Sequence, residues 1–187
     1  MELERVAWDL ADALVAVDCS GTPFRQFQPG IGPYGEPQLV SAAAEYLNSR
    51  EPYRGLVATM RSPDLLIRGH WALEFKLARP FGDNGKEAEN WSVNLLHPYP
   101  GNVSAIGDCL KLLKRDGFER RATIVVGYEH TPPRIPLAPL FDAFEILADK
   151  VARVRLGQRV QVCRTGLVHP VHQQLTVAAW EVLGAAM

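Results

Sequence analysis

A chain of 187 residues, 47% apolar and 22% charged, has the length and balance of one globular domain able to bury a core. Its formal net charge of −1 excludes a global basic field that would hold nucleic acid by charge alone. Cys19, Cys109 and Cys163 are odd in number, far apart and form no CxxC pair, so they fit a reducing compartment rather than a disulfide framework.

The opening "MELERVAWDLADALVAVD" mixes acids among its apolar residues, unlike a signal or transit peptide. No apolar run approaches the roughly 20 residues that span a bilayer. The expectation is a soluble, cytoplasmic protein. Leu3, Val6, Leu10, Leu14 and Val17 recur at helical spacing, which predicts a helix over 2–17. Residues 18–37 are rich in Gly and Pro and read as a loop. Pro37 suits the first turn of a helix that runs to residue 49. A strand follows at 55–60, then a hairpin over 61–80. Residues 79–101 form a long loop, a length that tends to be functional or mobile. The rest predicts a helix at 102–116, a strand at 121–128, a helix at 137–154, a strand at 159–164 and a C-terminal helix. This is an α/β order: a mixed central β-sheet flanked by helices.

The hairpin "RSPDLLIRGHWALEFKLARP" carries Asp64, Glu74 and Lys76 in an otherwise apolar stretch. A turn centred on Gly69 pairs Leu65 with Leu73 and Ile67 with Trp71 on one apolar face, with Phe75 and Leu77. On the other face Asp64 then opposes Glu74, and Lys76 points the same way. Directly opposed residues have Cβ atoms about 4.5–5.5 Å apart, where like charges repel. Two carboxylates so placed call for a cation, and a hard divalent ion such as Mg²⁺ fits. Lys76 alone neutralises them in part.

"PD" at 63–64 followed by "EFK" at 74–76, on a hairpin preceded by a helix bearing an acid, resembles the PD-(D/E)XK nuclease superfamily. The resemblance implies a restriction-endonuclease-like core over about 36–128, flanked by the 2–17 helix and a C-terminal helix–strand–helix extension. It implies metal-dependent phosphodiester hydrolysis, with DNA as the expected substrate, in restriction, repair or defence. Asp64 and Glu74, with the Phe75 carbonyl, would hold Mg²⁺ or Mn²⁺. Lys76 would orient water or stabilise the transition state, its neighbouring carboxylates keeping it protonated. The family's helix acid has two candidates, Glu36 and Glu45, and Glu36 is preferred. As a bare helix N-terminal acid, Glu36 is equally a dipole partner. A chain without a recognition module would cut as a homodimer or with a protein partner.

Arg61, Arg68, Arg79 and Lys86 cluster in sequence around the hairpin and are candidate phosphate contacts. Lys111 joins them because its helix borders the active site in the resembled fold. By spacing alone, Asp108 and Lys111 are a surface i,i+3 pair. Trp91, His97 and Tyr99 lie among bases in the long loop and suit stacking on unpaired nucleotides, or the loop's own packing. His169 and His172 in "HPVH" lack a carboxylate or cysteine close by in sequence and read as surface residues. Two other readings stand beside the nuclease. One is a catalytically inactive member of that fold that binds nucleic acid or a protein. The other is an unrelated α/β protein with a small ligand beneath the 79–101 loop.

Overall fold

Apolar residues at helical spacing bury one face of α1 (Leu3–Cys19): Val6, Leu10 and Leu14 are fully inaccessible. The computed structural model describes residues 1–21, 29–99, 101, 103–115, 117–118 and 120–185. Residues 22–28 of the expected 18–37 loop lie outside that description. So do Pro100 of the long loop, Asn102 and Asp116 of the expected 102–116 helix, and the last two residues of the chain. The remaining elements are α2 (Glu36–Asn48), β1 (Val57–Thr59), β2 (Leu65–Ile67), β3 (Trp71–Ala78), α3 (Val93–Leu96), α4 (Ala105–Leu113), β4 (Arg121–Glu129), α5 (Ala138–Lys150), β5 (Val154–Leu156), β6 (Val160–Thr165) and β7 (Gln174–Ala185).

Gly35 precedes α2, and Pro37 sits in its first turn, where a missing N–H costs nothing. At the other end, the Asn48 side chain donates to the Val57 carbonyl at 2.8 Å and accepts from Gly55 and Val57 N–H. That fastens α2 to the start of β1. Ser104 caps α4 by accepting from Gly107 N–H at 3.1 Å.

The strands form one mixed seven-stranded sheet in the order β1-β2-β3-β4-β7-β5, with β6 also paired to β7. β3 and β4 are parallel, joined across α3 and α4, and the other pairs are antiparallel. The hairpin has the expected register: Leu65 faces Leu73 and Ile67 faces Trp71, about Gly69 at φ +73°. Leu65, Ile67, Trp71, Leu73 and Phe75 join the core beneath α1 and α2. Ala72 and Ala78 join a second core with α4 and α5. Helices thus cover both sheet faces, as an α/β order requires.

The C-terminal segment departs from expectation. Residues 174–185 are the strand β7, not a helix, and β7 pairs with β4, β5 and β6. Leu175, Val177 and Ala179 enter one core and Ala178, Trp180 and Val182 the other. A strand buried on both faces reads as a continuous apolar run, which periodicity alone confuses with a buried helix. The expected helix at 137–154 ends at Lys150, and Val154–Leu156 pairs with β7 instead. After residue 128 the chain is therefore α5 followed by three strands of the same sheet, rather than an appended helix–strand–helix. No helix among the described residues is long and apolar enough to cross a membrane.

Candidate active site

β3 sends alternate side chains to opposite faces, so Glu74 and Lys76 share the face that α4 covers. Asp64 stands just before β2, and its Oδ2 accepts the Phe75 N–H at 2.8 Å. That bond seats the carboxylate against β3 beside Glu74. Glu74 is 4% exposed, and its Oε1 accepts from Ser62 Oγ at 2.7 Å. Its pKa is pushed up to about 7: burial is the main cause, the Ser62 bond opposes it, and the charges of Asp64 and Asp108 add to it. Two carboxylates do converge across this hairpin, and one responds by holding its proton.

Lys76 Nζ lies 3.2 Å from Glu36 Oε1 and 2.7 Å from Asp108 Oδ2, and donates to the Phe75 carbonyl at 3.1 Å. Burial disfavours its charge, but Glu36 and Asp108 outweigh that and raise its pKa. It is an ammonium, as expected, yet its ion-pair partners are Glu36 and Asp108. Glu36 is itself raised by burial, against the lowering effect of Lys76. Glu36, at the first turn of α2, reaches the site, whereas Glu45 is exposed further along that helix.

Asp108 corrects the sequence reading. It is 1% exposed, not a surface residue, and bridges Lys76 and Lys111 from the inner face of α4. The signal was present: Ala105, Asp108, Cys109 and Leu112 occupy one helical stripe, and an acid in an apolar stripe needs a partner. Ser62 had no comparable signal, because only the fold brings it to Glu74. Arg115, also not singled out, donates to the Ser62 carbonyl.

The proposed phosphate contacts divide. Lys111 adjoins the site through Asp108. Arg61 is exposed on the rim of a cleft of about 380 Å³ that Glu36 and Asp64 also line. Arg68 sits at the far end of the hairpin, four residues from Asp64 or about 13 Å along an extended strand, and donates to the Gly55 carbonyl. Arg79 donates to the Gly32 carbonyl, and Lys86 is exposed in the long loop. Trp91 packs against the core under α4 and α5, while Tyr99 is 64% exposed. His169 and His172, expected at the surface, are buried.

The donor atoms are of the type a hard cation takes, although among the described residues no three of the site's carboxylates bring oxygens within 4.8 Å of one another. Four carboxylates (Glu36, Asp64, Glu74, Asp108) face two ammoniums (Lys76, Lys111), and the ligand atoms on offer are all oxygen. No family model matches the chain, and neither a curated protein nor a solved structure matches it significantly.

Proposed function

We propose that the chain is a metal-dependent nuclease of the PD-(D/E)XK kind that hydrolyses phosphodiester bonds, DNA foremost. The observation that carries this reading is the seating of Asp64 beside Glu74 on β3, with Lys76 two residues along the same strand face and Glu36 reaching Lys76 from the preceding helix. The element order supports it: α2, an antiparallel β1–β2–β3, α4, then β4 parallel to β3 is the layout the resemblance implies. Asp64, Glu74 and the Phe75 carbonyl would hold Mg²⁺ or Mn²⁺, and Glu74 releases its proton to do so. When bound, that ion lowers the pKa of water and neutralises phosphate charge. Lys76 offers its ammonium to the charge that develops on the phosphate, and Glu36 and Asp108 fix where that ammonium stands. Lys111 and Arg61 supply positive charge along the approach.

The test is incubation of plasmid, linear and single-stranded DNA, and of RNA, with Mg²⁺, Mn²⁺ or chelator, beside Lys76→Ala protein. Metal-dependent cleavage lost in the variant supports the reading. Absence of cleavage on every substrate, together with no Mg²⁺ binding by calorimetry, refutes it.

One observation favours the inactive alternative. Lys76 already donates to the Phe75 carbonyl, the oxygen a metal would take, and is paired with two carboxylates. A site so satisfied is stable without a cation. Calorimetric Mg²⁺ binding that Glu74→Ala abolishes favours the nuclease, and indifference to metal favours the inactive module.

A further inference from the structure

The loop after β3 and the turn between β6 and β7 meet at a second group of titratable side chains. Asp83 comes from "RPFGDNG", and His169 and His172 come from "HPVH". One potential ligand atom of each lies within 4.8 Å of the other two. Both histidines are at most 1% exposed. Among the described residues, Nε2 of His169 and Nδ1 of His172 are buried without a hydrogen-bond partner, and so is the hydroxyl of Tyr128, whose ring centroid is 5.4 Å from that of His172. Each such orphaned group costs about 1–3 kcal/mol, so several together ask for an occupant.

The bonded ring atoms say where the protons are. His172 Nε2 lies 2.9 Å from the Phe81 carbonyl, which only accepts, so Nε2 carries the proton and Nδ1 presents a lone pair. His169 Nδ1 accepts the N–H groups of Val171 and His172, each at 3.1 Å, so its proton is on Nε2. The space beside His172 Nδ1 exists because residue 32 is glycine: a Cβ there would stand 2.5 Å from that nitrogen. Nδ1 is 3.7 Å from Asp83 Oδ1. Two ligands on a tetrahedral cation are about 3.4 Å apart, so little closure is needed. Neighbouring charges are already engaged. Arg79 donates to the Gly32 carbonyl, and Asp18 accepts Ile31 and Val168 N–H.

We propose that His172 Nδ1 and the Asp83 carboxylate bind a divalent cation of the zinc type, and that His169 Nε2–H donates to water in its shell. Mixed imidazole and carboxylate donors select such ions over Mg²⁺. The bond from His172 Nε2–H to the Phe81 carbonyl is the support a ligating histidine needs to hold its ring in place. The cation fastens the loop that follows β3 to the β6–β7 turn. The proposal uses neither Asp64 nor Glu74, so it stands or falls apart from the nuclease reading.

Equilibrium dialysis against zinc, followed by metal analysis, tests it. The unaltered chain and an Asp64→Asn, Glu74→Gln variant should each hold one equivalent. Affinity should fall at least tenfold in Asp83→Asn and in His172→Ala. Asp83→Asn keeps the test decisive if His172→Ala fails to fold, because the Asp83 side chain is 29% exposed. Zinc held equally well by both single variants would place it on other groups, such as the exposed Cys19 and Cys163 thiols, and overturn the proposal. Failure of the unaltered chain to retain zinc would leave buried water as the occupant and overturn it as well.

Discussion

Glu74 sets binding chemistry against stability. Its pKa of about 7 stands above the ordinary 4.5, chiefly through burial, so the folded chain holds this proton more tightly than the unfolded chain. The stabilising contribution is complete below the unfolded value and is lost as pH rises through about 7. The gap is worth about 3–4 kcal/mol, since one pKa unit is about 1.4. Urea denaturation of the metal-free chain should therefore show lower stability at about pH 8 than at about pH 5 from this group, a difference that Glu74→Gln reduces. On the proposed nuclease reading the same proton competes with Mg²⁺, so calorimetric Mg²⁺ affinity should rise with pH across this range. Lys76→Ala tests the neighbouring pairs. It leaves Glu36 without its cation and Asp108 with Lys111 alone. The expected loss is about 3 kcal/mol near neutral pH, read by the same denaturation and smaller in acid, where Glu36, its pKa raised chiefly by burial, protonates.

At the scale of elements, the decisive pieces are those that fix β3 between its neighbours. On one side the β2–β3 hairpin delivers Asp64, and on the other the crossover to β4 places α4 and its Asp108 over Lys76. β7 then closes the sheet against β4. Trp180 of β7 is fully buried, packs edge-on to Phe141 and Phe144, and donates from Nε1 to Glu145 at 2.8 Å. Trp180→Ala should cost about 3–5 kcal/mol by equilibrium unfolding, a value that a partly exposed residue on a terminal helix would not approach. The Asn48 bonds to the β1 entry are a smaller prop. Asn48→Ala should cost about 1–2 kcal/mol in the same measurement.

For the whole molecule, the net charge of −1 conceals a local excess of carboxylates at the β3 site and separate bases around it. A cation bound there stabilises the folded chain by mass action, about 2.7 kcal/mol at a hundredfold excess over Kd. On the proposed nuclease reading, Mg²⁺ should raise the melting temperature of the unaltered chain and leave Glu74→Ala unmoved, with chelator reversing the gain. Because His172 and Asp83 lie in other segments, zinc should still stabilise Glu74→Ala.

The α/β class, the hairpin register and the convergence of Asp64 with Glu74 were legible in the sequence, because they rest on local periodicity: a turn at Gly69 and strict alternation on either side of it. The helices α1, α2 and α4 follow from the same kind of local pattern. Other features depend on contacts between distant segments, and only the tertiary structure decided them. "LTVAAWEVLGA" is a strand because β4, β5 and β6 pair with it, although its own composition suits a helix. Lys76 chooses Glu36 and Asp108, 40 and 32 residues away, because two helices begin over one strand. His169 and His172 are interior because the turn between β6 and β7 folds back onto the loop after β3, a meeting no window of sequence contains. Local pattern specifies which face of an element is apolar, whereas burial of a polar group depends on what packs against that face.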